Sequence, residues 1–270
     1  SFEELIKFGS IAIPLIIICI FGVIILVKLL IKKVPISSKM SYLIAIGTSV
    51  CGATAIVATA PVINAKKSEV AYAIANITLF GVIAMIVYPY FAEWYFDNDA
   101  LKTGLFLGTS IHETSQVAAA GLIYDQQFNS PETLNVATVT KLIRNTFLVI
   151  LIPLFAFLYN RGELKGQNYS ILSIFPYFVI GFIGMIVVRN IGDQFFTIDN
   201  NNYGLWVNLI GYLKTLATVF LTMAMAAVGI SINLSELKSM GYKPFVVGLI
   251  AAITVGFISL IYIETLIKFI

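Results

Sequence analysis

GTSIHETSQVAAAG, residues 108–121, sets His112, the one histidine of the chain, next to Glu113 and four residues before Gln116. An imidazole exchanges protons near neutral pH, and a neighbouring carboxylate can share or relay them. On a helix His112 and Gln116 would lie one above the other, with Glu113 on an adjoining face. A second phrase, GTSVCGATAIVATA at 47–60, repeats the pattern without the charges and has Cys51 where the first has His112. A third group is Lys141 and Arg144 in TVTKLIRNTFLVILIPLF, 138–155, three residues apart and so close together on one helix. Adjacent cations repel unless something anionic compensates. Glu113 or a bound oxyanion could do so, and a guanidinium suits bidentate recognition of oxyanions.

These groups sit in a chain too apolar for a soluble domain. Hydrophobic residues make up 59% of the 270, charged residues 11%, and the mean hydropathy is +0.93. Soluble domains are about 45–50% apolar and about 25% charged. Eight hydrophobic segments run over 10–31, 41–63, 70–94, 103–123, 134–159, 171–190, 205–230 and 244–263. Most can cross a bilayer, which takes about 20 residues as a helix. Long strands with polar alternation are absent, so a β-barrel is not expected. The expected fold class is all-α: a polytopic membrane helix bundle forming a single transmembrane domain over 1–270. A charged side chain at the centre of a membrane helix costs roughly 2.5–3.5 kcal/mol on insertion scales, so each one here is a functional candidate. Arg189, at a span end, is expected to anchor at the interface.

The net charge of +3 does not suggest a nucleic-acid partner. Cys19 and Cys51 both lie in apolar segments, so neither a disulfide framework nor a metal site is expected. No P-loop, dinucleotide fingerprint or HExxH is present, and no catalytic residue or cofactor is assigned.

Loop charges bear on topology, because basic loops stay cytoplasmic. Lys28, Lys32, Lys33 and Lys39 precede or open 41–63, and Lys66 with Lys67 follows it. Asp97 and Asp99 precede 103–123, and Asp125 with Glu132 follows it. If both segments crossed fully, loops 64–69 and 97–99 would break the rule. If both enter and return, every loop obeys it. Segments 41–63 and 103–123 are therefore expected to be broken or re-entrant helices entering from opposite sides.

Aligned at an offset of 61, the two phrases share Gly47/Gly108, Thr48/Thr109, Ser49/Ser110 and Ala58/Ala119. One long segment, 70–94, separates them, and a single crossing inverts the second copy, as in inverted-repeat transporters. Gly, Thr and Ser at a helix start offer free N–H groups and hydroxyls to an anion. Two such N-termini facing each other would form a mildly positive pocket near the midplane. The alternative is close helix packing through small residues, with no ligand. The candidate substrate-binding residues are Gly47, Thr48, Ser49, Cys51, Gly108, Thr109, Ser110, His112, Glu113, Gln116, Lys141 and Arg144. Pro61, Pro89 and Pro153 are expected to kink or end helices. A weaker repeat relates SFEELIKFG, 1–9, to NLSELKSMG, 233–241.

GTSVCGATAIVATAPVI, VAYAIANITLFGVIAMIVYPY, GTSIHETSQVAAAG and ATVTKLIRN occur in that order, with LTMAMAAVGISINLSELKSMG later. Together they resemble the sulfate-exporter family of YeiH-like bacterial inner-membrane proteins over essentially the whole chain. The resemblance implies a multi-pass inner-membrane secondary carrier with inverted repeats, distantly like sodium–proton antiporters, and a sulfate or sulfur-oxyanion substrate. It also implies further hydrophobic segments ahead of Ser1, so the 270 residues are expected to lack N-terminal helices of the full unit. Asn76 is more polar than the resemblance would suggest.

The expected function is secondary transport of a small anion: sulfate, sulfite or an organosulfonate. The anion would sit between the GTS helix starts, with Lys141 and Arg144 supplying positive charge. His112 and Glu113 would couple protonation to alternating access. Proton or sodium coupling and a homo-oligomer both stay open. A passive anion channel is one alternative. Another is a cation–proton antiporter-like carrier in which Glu113 binds the cation and Lys141 or Arg144 replaces it when the site is empty. An intramembrane enzyme would need Cys51 and His112 within hydrogen-bond reach, and the protein is not expected to be one.

Overall fold

The computed structural model describes residues 2–163, 178–196, 203–230 and 240–266, with Ser235 and Lys238. The described residues form α1 (Phe2–Leu30), α2 (Ser38–Ser49), α3 (Ala53–Thr59), α4 (Lys67–Phe96), α5 (Ala100–Ser110), α6 (Thr114–Phe128), α7 (Pro131–Thr146), α8 (Leu148–Glu163), α9 (Phe178–Phe195), α10 (Tyr203–Ile230) and α11 (Lys243–Leu266), with no strand among them. In hydrocarbon each backbone N–H and C=O must be satisfied within the segment, so such apolar runs become helices. Among the described residues four stretches are long and apolar enough to cross a membrane: Gly9–Leu30, Lys67–Phe96, Pro131–Phe155 and Lys243–Thr265. The protein is an all-α membrane helix bundle.

Helix α1 illustrates why an amphipathic stripe is missing from the sequence. Ala12, Leu15, Ile16, Cys19, Ile20 and Val23 are buried, whereas Ile13, Ile17, Ile18, Phe21 and Ile25 are exposed. Both faces are apolar, because the outer face meets lipid. The buried face packs against α11, where Val247, Ala251, Val255 and Ile263 are buried in the same core.

Local chemistry sets the helix ends. The Ser37 hydroxyl accepts from the Met40 N–H (3.1 Å) and caps α2. The Asp99 carboxylate accepts from the Lys102 N–H (3.0 Å) and caps α5. Helices α4 and α6 end at Asp97 and Asn129, both left-handed, a conformation these two residue types tolerate. Pro131 opens α7, where no backbone donor is needed.

Two segments turn back on themselves. Lys39 Nζ, at the start of α2, donates to the Asn64 carbonyl beyond α3 (2.7 Å). The way in and the way out therefore share one end, and the Ser37–Glu69 hydrogen bond puts that end beside the start of α4. At the other end of α4, Tyr124 of α6 donates to Glu93 Oε2 (2.5 Å) and lies 3.4 Å from Asn98 Oδ1, just before α5. Helix α4, 30 residues and about 45 Å long, separates these two ends. The hairpins α2–α3 and α5–α6 thus enter from its opposite ends.

Several expectations are revised. Segment 134–159 is two helices, α7 and α8, joined at Phe147. Pro153 has no N–H for the Val149 carbonyl and crowds it, which favours a bend one turn earlier. Pro89 lies inside α4, which runs on to Phe96. Most of 233–241, the second half of the weaker repeat, lies outside the described residues.

Helix α7 packs closely on α5 because Gly104 and Gly108 leave room for it. A Cβ on Gly104 would lie 2.5 Å from Val136 Cβ, and one on Gly108 2.7 Å from the Ala137 carbonyl. The spacing in GLFLG is the small-xxx-small pattern of close membrane-helix pairs.

Candidate functional site

The two helix breaks fall at equivalent positions. Helices α2 and α5 end at Ser49 and Ser110, and α3 and α6 begin at Ala53 and Thr114. Both differences equal the 61-residue offset of the sequence repeat. The GTS triplets are therefore the last turns of the first half-helices, and the expectation that they open helices is wrong. Val50 (φ −127°, ψ −93°) and Ile111 (φ −87°, ψ 142°) leave the helical region only after the serine. Gly52, at φ 66° and ψ −125°, makes the first turn in a conformation that a side chain resists. Main-chain carbonyls, not N–H groups, are what the triplets present to the junction.

Those carbonyls receive Lys141 and Arg144, both fully buried. Arg144 Nε donates to the Ser49 carbonyl (2.8 Å) and Nη1 to Thr109 (2.6 Å), with Ile111 at 3.4 Å. Its Nη2 donates to the Thr48 carbonyl. Lys141 Nζ donates to the carbonyls of Val50 (2.7 Å), Ile111 (2.9 Å) and His112 (2.5 Å). Each cation thus joins equivalent carbonyls of the two copies: Arg144 those of Thr48 and Thr109, Lys141 those of Val50 and Ile111. A helix C-terminus leaves its last carbonyls unpaired and carries partial negative charge. Two C-termini meet here, and the two cations compensate both. Among the described residues neither cation pairs with a carboxylate, unlike Lys102 with Asp99 and Arg189 with Asp193. Glu113, one of the two groups expected to be able to compensate them, does not pair with either; main-chain oxygens accept from both.

Glu113 serves the helix starts instead. It is the N-cap of α6, and its N–H lies 3.4 Å from Gln116 Oε1. Thr78 of α4 donates its hydroxyl to Glu113 Oε1 (3.1 Å), and Gln116 Nε2 donates to the Thr78 carbonyl (3.3 Å). The Glu113 side chain lies over Gly52, whose Cβ, if present, would be 2.5 Å from Glu113 Cγ. Asn145 Nδ2 donates to Thr114 Oγ1 (3.0 Å) and ties α7 to the same helix start.

His112 sits in the break, not on a helix, so it does not stack with Gln116 as the spacing suggested. Its ring is buried, and neither ring nitrogen makes a well-formed hydrogen bond, the Ser110 main chain being the group nearest to offering one. The hydroxyls of Thr48 and Ser110 are also buried without partners. Cys51, in the first break, is a buried free thiol, and no Cys51–His112 hydrogen bond forms. Gly47 and Gly108 are packing positions: Gly47 lies against Ile77 and Ile56, Gly108 against Ala137 and Thr140. Among the described residues no group of three or more His, Cys, Asp or Glu could hold a metal ion.

Thr78, Asn145 and Ser259 join the site without having been singled out in the sequence. The Ser259 hydroxyl lies 2.7 Å from Thr109 Oγ1. A single hydroxyl in an apolar helix is common and carries little signal. Asn145, directly after Arg144, was the readable one. Asn76 holds two helices together, its Nδ2 donating to the Pro244 carbonyl at the start of α11 (2.9 Å). Arg189 is half-exposed and pairs with Asp193 at 2.6 Å.

A bundle closed around two oppositely entering broken helices defines a multi-pass membrane protein with a polar crossing inside an apolar shell. The chain belongs to the family described as Conserved hypothetical protein 698, whose model matches residues 1–248. It is 34% identical over 266 residues to a UPF0324 membrane protein of Fusobacterium nucleatum, covering 96% of this chain and 76% of that protein. A UPF0324 membrane protein of Streptococcus agalactiae is 34% identical over 245 residues, 91% of this chain and 70% of that one. The UPF0324 inner membrane protein YeiH of Escherichia coli is 32% identical over 226 residues, 81% of this chain and 58% of that one. The YeiH-like resemblance holds, and the protein is a multi-pass bacterial membrane protein. No solved structure matches the chain.

Proposed function

We propose that the protein is a secondary transporter for a small anion, a sulfate, sulfite or organosulfonate, held at the crossing of its two broken helices. The observation that carries this reading is a set of buried polar groups without partners beside a helix N-terminus. The Ser110 and Thr48 hydroxyls lack partners next to the breaks, both His112 ring nitrogens lack well-formed hydrogen bonds, and α6 begins two residues after His112. Buried polar groups are normally satisfied, and exceptions call for a ligand, water or functional role. Lys141, Arg144 and Glu113 together leave one positive charge in surplus, which an organosulfonate or hydrogen sulfite monoanion would balance and which the sulfate dianion would match together with one bound proton. Lys141 and Arg144 then act through their field while bound to carbonyls, and Ser110 and His112 contact the anion. Glu113, lying over both helix starts, and His112 form the coupling pair for a proton.

The test is sulfite and sulfate flux into proteoliposomes of the full-length protein, with and without a pH gradient, for wild type and His112→Gln. Gradient-driven flux that falls at least tenfold in the variant supports the reading. Flux or current indifferent to the gradient would indicate a passive channel. Protons moving against sodium without anion flux would favour the cation–proton alternative, for which the carbonyl cage around Lys141 is the supporting observation.

A further inference from the structure

The ammonium of Lys141 uses all three of its donors on main-chain carbonyls: Val50 from the first break, Ile111 and His112 from the second. An ammonium has three donors and no acceptor, so nothing is left for a substrate. The group is fully buried, and no described carboxylate pairs with it. A cage of neutral oxygens around one positive charge is also what a dehydrated alkali cation requires. Carbonyl oxygens can replace such an ion's hydration shell, and half-helix C-termini are a recurring place to hold it. Divalent ions prefer carboxylates, and the nearby carboxylate, Glu113, is occupied with Thr78 and faces the helix starts.

We propose that the junction of the two helix C-termini is a monovalent-cation site that this chain fills from within, the Lys141 ammonium standing in for sodium or potassium. A tethered charge cannot dissociate, so the crossing holds together without any alkali ion. Removing the lysine side chain leaves Arg144 and Glu113, and one alkali cation then restores the original charge. Only the consequence for coupling rests on the transport reading: the cycle would need no sodium gradient, and protons would carry it.

The test uses purified full-length protein in detergent, with thermal unfolding followed by tryptophan fluorescence. LiCl, NaCl, KCl and choline chloride are compared at constant ionic strength. Wild type should melt at one temperature in all four. Lys141→Ala should melt lower in choline, and its melting temperature should rise saturably with one alkali cation, as linkage requires of a ligand that binds the folded state. Lys141→Met, whose side chain refills the cage without charge, should melt lower and ignore every salt. The inference is overturned if folded Lys141→Ala melts alike in all four salts. Failure to recover that variant in any alkali salt overturns it too, because a cation-site variant must be rescued by its cation. A saturable cation response in wild type also overturns it and points to the cation-carrier alternative. Because the readout is stability and not flux, absence of anion transport would leave this result intact.

Discussion

The hairpins α2–α3 and α5–α6 share a backbone plan and differ at the turn. Val50, Cys51 and Gly52 in the first stand where Ile111, His112 and Glu113 stand in the second. The first copy turns on a glycine in a conformation that favours glycine, with no side-chain cap for α3. The second turns in extended backbone and places Glu113 at the N-cap of α6, its N–H facing Gln116 Oε1. These differences are coupled. Gly52 and Glu113 are equivalent positions that touch each other, and there is room for only one side chain between them. The copy that gave up its side chain lets the other reach both helix starts. The following helices differ likewise: at the same offset, α4 carries Phe80 and Ile83 where α7 carries Lys141 and Arg144. The two hairpins share the crossing geometry, and the charges stand beside one of them.

Arg144→Met should have the largest effect. It removes a buried cation from carbonyls of both hairpins, and breaking a buried charge arrangement from one side costs about 3–5 kcal/mol. Loss of folded protein in fluorescence-detected size-exclusion is the expected result. Arg144→Lys should not restore it, since one ammonium cannot reach Ser49, Thr48 and Thr109 together. Wild-type stability in the methionine variant would mean that the cation does not hold the hairpins.

Gly52→Ala comes next. A left-handed backbone and the Glu113 side chain both oppose it, at a cost of about 1–3 kcal/mol for the backbone conformation alone. The double variant Gly52→Ala/Glu113→Ala should recover the clash and not the backbone strain. Strictly additive melting-temperature changes would show that the two positions do not interact.

The equivalent glycines should respond unequally. At Gly108 an added Cβ meets the Ala137 carbonyl at 2.7 Å, main chain that cannot step aside. At Gly47 it meets the side-chain ends of Ile77 and Ile56, which can rotate. Gly108→Ala should lose about 1–3 kcal/mol by overpacking, and Gly47→Ala less. Equal melting temperatures for the two would remove this asymmetry.

The smallest effect belongs to the equivalent threonines. The Thr109 hydroxyl bonds the Leu105 carbonyl (2.7 Å) and lies 2.7 Å from Ser259 Oγ, whereas the Thr48 hydroxyl has no partner. Thr109→Val should cost about 1 kcal/mol. Thr48→Val should leave stability unchanged and lower anion flux, which thermal unfolding and the proteoliposome assay can separate.

Much of this was legible in the residues. Hydropathy over 270 residues excludes a soluble domain, because the cost of burying polar backbone and side chains depends on residue type alone. Loop charges indicated that 41–63 and 103–123 turn back, and the offset between Gly47 and Gly108 placed both breaks in matching frames. The price of burying Lys141 and Arg144 marked them as important wherever they pointed. What the tertiary structure decided is which end of each half-helix faces the junction, and therefore whether those cations meet an anion or a carbonyl. It also decided that Glu113 lies over Gly52, that Asn76 holds α11, and that one helix ends and the next begins at Phe147. The physical reason is common to most of these. The partners of Lys141, Arg144 and Asn76 are main-chain oxygens, which every residue carries, so no side-chain type in the sequence announces them.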